Sequence, residues 1–176
     1  MTDVHELAVT AVGADRPGIV AAVADVLHDV GGNVEDSAMT ILGGHFAIVL
    51  LVASPVDAEQ LRASLAPVAD ELGLTISVSD AEGERYGVEA THLLSVYGAD
   101  KPGILAGVTR ALAAEGANIT DLETRVLDPG ADPVYAMVVE LVVGDSGEAG
   151  LAAAVDEACE ALGVDHTLRA IEAETY

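Results

Sequence analysis

The chain has 176 residues, and thirty acidic side chains against seven basic ones give it a formal charge of −23. A hydrophobic fraction of 51% excludes a disordered chain despite this charge. The acidic balance excludes unaided binding to nucleic acid and opposes binding to an anionic membrane surface, because both partners carry negative charge.

No feature of the sequence predicts export or membrane insertion. The segment 1–7 carries acids where a secretory signal would carry bases. The longest strongly apolar run, 46–53, is far shorter than the roughly 20 residues of a membrane-spanning helix. We therefore expect a cytoplasmic protein, by default rather than from a positive signal.

One segment of the chain occurs twice. GADRPGI begins at Gly13 and GADKPGI begins at Gly98, so the two copies are 85 residues apart. The same spacing relates Asn33 to Asn118 without a gap. The repeat predicts two domains, residues 1–80 and 90–176, joined by a linker at 81–89 that is rich in Glu and Gly.

Alternating and helical hydrophobic spacing predicts six elements in the first copy, in the order βαββαβ. The predicted strands are residues 7–13, Val34–Leu42, Phe46–Val52 and Leu74–Ser79. The predicted helices carry the apolar stripes Ile19, Val20, Val23, Leu27, Val30 and Leu61, Leu65, Val68, Leu72. The pair Gly43 and Gly44 predicts a tight turn between the two middle strands.

The second copy repeats this order with one departure. Its predicted strands are Leu93–Tyr97, Ile119–Leu127, Val134–Val143 and Val164–Ile171. Its helices carry the stripes Ile104, Leu105, Val108, Leu112 and Leu151, Val155, Cys159, Leu162. The hairpin turn at 128–133 is four residues longer than in the first copy, and this places Tyr135 where the first copy has Phe46.

The order βαββαβ is that of the ferredoxin-like fold, so we predict an α+β protein of two such domains with antiparallel sheets. Both helices of a domain cover one face of its sheet, and the other face is left to pair with a second surface. We therefore expect a homo-oligomer, most simply a homodimer.

The turn between the first strand and the first helix is the candidate site in both copies. Its residues are Asp15, Arg16, Pro17, Gly18 and Ile19 in the first copy and Asp100, Lys101, Pro102, Gly103 and Ile104 in the second. The prolines are expected at the helix start, with the preceding basic residue or aspartate as N-cap. The glycines would leave backbone N–H groups open at the positive end of the helix dipole, which suits a carboxylate.

Charge placement points to a dipolar ligand. Two of the seven cations, Arg16 and Lys101, occupy the same position in the two loops. A cation suits a carboxylate and the adjacent aspartate suits an ammonium group, so the pair predicts a free amino acid. Asn33 and Asn118 follow the helix and offer an amide to the same ligand. The alternatives are an efficient helix start for the loop and a left-handed turn residue for each asparagine.

The other reactive side chains predict neither catalysis nor a bound metal or cofactor. None of the five histidines lies three or four residues from another, and the chain contains no nucleophile elbow and no phosphate-binding loop motif. Cys159 falls on the apolar stripe of a helix, which indicates a buried thiol rather than a nucleophile. We therefore expect a protein that is not an enzyme.

The repeated motif resembles that of a known family. G-A-D-[RK]-P-G-I after a strand, followed by an apolar helix and G-[GA]-N-[VI], resembles the ACT domain, and the pair resembles the glycine cleavage system transcriptional repressor family. The resemblance implies a regulatory protein that binds a small amino acid at domain interfaces and signals to a protein partner such as a transcription regulator. It assigns the ligand to residues 15–19 and 100–104, closed by Asn33 and Asn118.

Two expectations qualify this resemblance. The longer hairpin turn of the second copy departs from its twin, so equal ligand binding at the two loops is not expected. A dimerisation or interaction module without a ligand is the alternative function, because the fold alone determines no activity.

Overall fold

The structure is a computed structural model that describes residues 4–81, 89–127, 130 and 132–171. The chain forms two compact units, residues 1–84 and 85–176. Most of the predicted linker (residues 82–88) and part of the predicted second hairpin turn (residues 128, 129 and 131) lie outside the described residues.

The first unit has the predicted order of elements. They are β1 (His5–Ala14), α1 (Ile19–Asp29), β2 (Asn33–Leu42), β3 (His45–Ser54), α2 (Ala58–Leu72) and β4 (Thr75–Asp80). Asp57 caps α2 by accepting a hydrogen bond from the Gln60 N–H at 2.9 Å. Gly73 ends the same helix with a φ of 64°, a left-handed conformation that glycine adopts without strain.

The second unit repeats the order. Its elements are β5 (His92–Ala99), α3 (Ile104–Ala114), β6 (Asn118–Leu127), β7 (Val134–Val142), α4 (Gly147–Leu162) and β8 (Asp165–Ala170). Both units therefore have the βαββαβ order, and the prediction of an α+β protein with two ferredoxin-like domains is confirmed.

Each unit contains one four-stranded antiparallel sheet. The strand orders are β2-β3-β1-β4 and β6-β7-β5-β8. Alternate residues of the central strands, such as Leu7 and Val9 of β1, are fully buried together with the helix residues Val23 and Leu27. Most residues of the apolar stripes predicted from the sequence thus lie in the core of each unit, but Val20 and Leu105 are 45% and 40% exposed.

The strand β2 lies at the edge of the first sheet and is exposed along its whole length. Its large apolar side chains are exposed as well, with 51% of Met39 and Ile41 and 77% of Leu42 accessible. The helices contact this strand little, because they pack mainly over the central strands.

The first glycine of the repeated motif is required by close packing. A Cβ on Gly13 would lie 2.7 Å from Cδ2 of Leu74 and 3.1 Å from the carbonyl oxygen of Gly73. A Cβ on Gly98 would lie 2.6 Å from Cγ1 of Val164. The residues that follow the second helix of each unit therefore pack directly against the strand that leads into the candidate loop.

Candidate functional site

The candidate loop of the first unit is held between the sheet and α1. The Asp15 N–H donates to the carbonyl of Gly44 at 2.9 Å, which ties the loop to the turn between β2 and β3. Gly18 then takes a φ of 94°, and α1 begins at the next residue, Ile19. Only glycine adopts this conformation without strain, so the second glycine of the motif directs the chain into the helix.

The loop of the second unit has the same geometry. The Asp100 N–H donates to the carbonyl of Pro133 at 3.0 Å, and Gly103 takes a φ of 97° immediately before α3 begins at Ile104. The Ile19 and Ile104 side chains are 2% and 1% exposed and anchor the two helix starts in the cores. The repeated sequence therefore encodes a repeated loop structure.

The predicted N-caps are wrong. Gly18 and Gly103 occupy the N-cap positions, and no side chain caps either helix within the described residues. Pro17 and Pro102 precede the cap instead of starting the helix. The positive φ of each glycine turns the chain at that residue, which leaves the aspartate and the basic residue too early in the loop to cap. The first turn of each helix keeps backbone N–H groups without an intrahelical acceptor.

The two cations of the loops reach the C-terminal ends of the second helices. Nη2 of Arg16 donates to the carbonyl oxygen of Glu71, near the end of α2, at 3.1 Å. Nζ of Lys101 lies 3.5 Å from the position that a Cβ on Gly163, the C-cap of α4, would occupy. Neither helix has a basic residue of its own in the last turn. The cations therefore meet the negative ends of these helix dipoles.

The structure brings residues 15–19 together but places Asn33 at the opposite end of the unit. Asn33 pairs with Ala53 of β3, whereas Ala14, the last residue before the loop, pairs with His45. The two pairing partners are eight residues apart on β3, which is roughly 25 Å along an extended strand. In the second unit, Asn118 pairs with Val142 and Ala99 with Val134, which is the same separation. Neither asparagine closes the loop of its own unit, as the resemblance had implied.

An apolar groove begins at the first turn of α1. It lies between α1 and β2 and has a volume of about 220 Å³. Ile19 and Val23 line it from the helix, Met39 lines it from β2, and Phe46 lines it from β3. We call this space the α1–β2 groove. Ile19 belongs both to the candidate loop and to the groove, so the two features are continuous.

In the second unit, a tyrosine occupies the position of Phe46. Tyr135 pairs with Gly98 as Phe46 pairs with Gly13, which is the shift predicted from the longer turn. Burial raises the pKa of the Tyr135 hydroxyl above its usual value, a hydrogen bond with Thr124 lowers it, and the charge of Asp100 raises it. The charge of Asp100, in the candidate loop, is the smallest of these three influences on the hydroxyl.

Two histidine–carboxylate pairs and one cysteine involve α4. Nε2 of His92 lies 3.6 Å from Glu148, and Nε2 of His166 lies 2.8 Å from Asp156, so both pairs link α4 to the sheet. Cys159 is 1% exposed, which confirms the predicted buried thiol. Burial, followed by the nearby charge of Asp156, raises the pKa of this thiol above its usual value.

Two features are absent from the part of the chain that the structure describes. Within it, no three His, Cys, Asp or Glu side chains are grouped so that they could hold a metal ion. None of the described helices combines the length and the apolar character needed to cross a membrane.

Comparison with known proteins identifies both units. Residues 5–79 and residues 92–160 each match the ACT domain family. The chain is 31% identical over 160 residues to the glycine cleavage system transcriptional repressor of Escherichia coli strain K12, and the match covers 90% of this chain and 84% of that protein. A UPF0237 protein of Methanopyrus kandleri is 42% identical over 73 residues, which are 40% of this chain and 81% of that protein.

The arrangement of elements also matches a solved structure. The crystal structure of an unknown protein from Galdieria sulphuraria superposes with a TM-score of 0.83 at 29% sequence identity. The superposition covers 97% of this chain and 100% of that one. The resemblance to paired ACT domains that the motif indicated is therefore confirmed over both units.

Proposed function

Because the chain belongs to the family of the glycine cleavage system transcriptional repressor and carries two ACT domains, we propose that it senses a small amino acid and signals to a protein partner. The chain is a regulatory protein and not an enzyme, in agreement with its relatives. The proposal includes a cytoplasmic homodimer and a partner that controls transcription in amino-acid metabolism, with glycine metabolism suggested by the name of the relative. With a charge of −23, this partner and not the chain itself would contact DNA.

One observation supports the amino-acid site above all others. The same loop is built twice, with a left-handed glycine leading into an uncapped helix and with one acidic and one basic side chain beside it. Asp15, Arg16, Asp100 and Lys101 are all exposed, so a ligand reaches each loop from solvent. A duplicated arrangement of this kind suits a dipolar ligand better than a single loop would.

Each charged group of the ligand has a partner in this scheme. The ligand carboxylate accepts from the open N–H groups of the first helical turn and from Arg16 or Lys101. Its ammonium group faces Asp15 or Asp100. The bond between Arg16 and the Glu71 carbonyl uses Nη2, so the other guanidinium donors are available.

The asparagines do not contact a ligand at the loop of their own unit in this proposal. Asn33 and Asn118 lie at the end of the unit away from their own loops. An asparagine of another domain would contact such a ligand, and the proposed homodimer offers one from a second copy of the chain. The ligand then binds the dimer better than the separate chains and shifts the population toward it.

Titration calorimetry of the full chain against the twenty amino acids tests the proposal. We expect heat from at least one of them, and weakening of at least tenfold at one site in Arg16→Met, since a hydrogen bond to a charged group contributes about 1.5–3 kcal/mol. Arg62→Met is the matched control, because Nη2 of Arg62 also donates to a backbone carbonyl, that of Val78 at 2.7 Å, away from the loop. The absence of heat with every amino acid would remove the sensing function.

A second candidate function, a dimerisation or interaction module without a ligand, has one observation in its favour. Arg16 and Lys101 already lie at the ends of α2 and α4, where they stabilise the helices without a ligand. This alternative predicts a dimer in sedimentation analysis whose stability does not change with any amino acid. The sensing proposal predicts that the effective amino acid strengthens the dimer.

A further inference from the structure

We propose that α4 of the second unit is a proton-responsive helix, which His92 and His166 hold tightly against the sheet only when their imidazoles are protonated. The inference does not depend on amino-acid sensing, because neither histidine lies in a candidate loop. It is carried by two histidine–carboxylate pairs whose positions in the first unit hold apolar residues.

The first pair contains a buried imidazole without a full set of partners. His92 is 8% exposed, and its Nδ1 lies 3.0 Å from Oγ1 of the preceding Thr91. Its Nε2 has no hydrogen-bond partner in the described part of the chain and lies 3.6 Å from Oε2 of Glu148, in the first turn of α4. A buried polar atom without a partner is destabilising. Protonation places a positive charge opposite the carboxylate, so the contact becomes an ion pair.

The second pair lies further along the same helix. Nε2 of His166, on β8, is 2.8 Å from Oδ1 of Asp156. Asp156 follows Glu148 by eight residues, which span about 12 Å of helix. The two pairs therefore connect the first turn and the middle of α4 to the sheet. A neutral His166 can already donate a hydrogen bond to Asp156, and protonation adds the attraction of opposite charges.

The corresponding strand positions of the first unit are apolar. The repeat of 85 residues places His92 where the first unit has Leu7, a fully buried core residue. His166 takes the position of Ile76, because β8 pairs with β5 in the register in which β4 pairs with β1. Leu7 and Ile76 belong to or pack against the core of the first unit. Both histidines therefore replace aliphatic side chains.

The corresponding helix positions of the first unit are alanines. Gly73 and Gly163 end α2 and α4 as C-caps, and they align the two helices. Counted back from these glycines, Glu148 takes the position of Ala58, and Asp156 takes that of Ala66. Both members of each contact thus change together from apolar to ionisable. We therefore expect α4, and not α2, to respond to pH.

The other titratable groups near α4 keep one charge state while the histidines titrate. Histidine changes charge at about pH 5–8, and carboxylates are ionised throughout this range. Glu115, at the end of α3, faces the start of α4, since its Oε2 lies 3.0 Å from the position of a Cβ on Gly150. Burial raises the pKa of the Cys159 thiol, which therefore stays protonated. The residues that pair with the two histidines on neighbouring strands are apolar: Leu141, Ala170 and Val96.

The sign of the effect follows from these charges. Both ion pairs are present while the imidazoles are protonated, and they are lost as the pH rises through the range in which histidine loses its proton. Local opening of α4 should therefore be rarer at low pH.

Hydrogen exchange of the full chain, followed by mass spectrometry at about pH 5.5 and about pH 8, tests the inference. After correction for the intrinsic pH dependence of exchange, amides of α4 should exchange about threefold or more slowly at the lower pH, since an exposed ion pair contributes up to about fivefold. The helix α2 is the internal control, and its corrected rates should agree within about twofold.

Three variants identify the cause. Glu148→Gln and Asp156→Asn remove a negative charge with little change of shape, so each should reduce the response of α4, and together they should abolish it. Glu157→Gln is the matched control, because it removes an exposed carboxylate of the same helix that pairs with no histidine among the described residues. Its response should match that of the original chain. Circular dichroism checks that each variant is folded.

Three results would overturn the inference. They are equal corrected rates in α4 at the two pH values, the same change in α2 as in α4, and a full response in the double variant of Glu148 and Asp156. The first of these comparisons uses the unaltered chain, so the inference is tested even if a variant does not fold.

Discussion

Replacing Gly13 or Gly98 by alanine adds one methyl group at the point where each unit packs its last connection against its first strand. The added Cβ at position 13 would lie 2.7 Å from Leu74 Cδ2, the end of a flexible side chain, and 3.1 Å from a backbone oxygen. At position 98 it would lie 2.6 Å from Cγ1, 3.0 Å from Cβ and 3.3 Å from Cα of Val164. The second site cannot relax by a side-chain rotation alone, because the branched carbon itself is in the way.

These distances predict that Gly98→Ala destabilises its unit more than Gly13→Ala does. Overpacking of this kind costs about 1–3 kcal/mol, and the reduced entropy of the unfolded chain returns about 0.4–1 kcal/mol. We expect Gly13→Ala to lower the free energy of unfolding of the first unit by about 1 kcal/mol, because the flexible end of Leu74 can move and keep the overpacking cost small. Gly98→Ala should cost the second unit about 2 kcal/mol, which for a domain of this size corresponds to a fall in Tm of roughly 8–16 °C.

Urea denaturation followed by far-ultraviolet circular dichroism measures both values. Gly130→Ala is the control, since a Cβ there meets no atom within 4 Å, and its effect should stay within about 0.5 kcal/mol. The double variant Gly98→Ala with Val164→Ala examines the cause. If the Val164 side chain is the obstacle, the double variant loses less stability than the sum of the single variants. Strict additivity, or a larger loss at Gly13 than at Gly98, would refute the packing argument.

Three further predictions concern the loops and the buried thiol. Gly18→Ala should destabilise the first unit by about 1–2 kcal/mol in the same assay although its Cβ meets nothing within 4 Å, because a φ of 94° is strained for alanine. Arg16→Met should cost about 0.3–1 kcal/mol, and the loss should shrink with added salt, since the guanidinium meets the negative end of α2. Because burial raises the pKa of Cys159, the stability it contributes is complete below pH 9 and is lost as the pH rises through the raised pKa. Cys159→Val should therefore reduce the alkaline loss of stability, and iodoacetamide should label Cys159 only after denaturation.

The element order was predictable because local signals agreed with the fold. The stripe of Ile19, Val23 and Leu27 gave α1, and Gly73 marked the end of α2 correctly. The exposure of β2 was not predictable, because the residues of a strand do not show whether a helix covers it in the folded protein. Met39 and Ile41 are apolar side chains of β2 and are each 51% exposed.

The site was predicted less completely than the fold. The loop and its repetition followed from the sequence, but the partner of Arg16, the carbonyl of Glu71, lies 55 residues away along the chain and only the folded structure brings them together. The N-cap was misplaced because residue preferences do not reveal that Gly18 takes a positive φ. Asn33 was grouped with the loop because the family resemblance assigned it there, whereas α1, a helix of 11 residues, separates the two in the folded unit.

Because β2 is an exposed edge strand, the solubility of this protein should depend on the salt concentration. A long edge strand with exposed methionine, isoleucine and leucine side chains is a template for pairing with another strand. A net charge of −23 keeps molecules apart in dilute buffer. At physiological ionic strength this repulsion extends only about 8 Å, so ordinary salt permits the close approach that strand pairing requires.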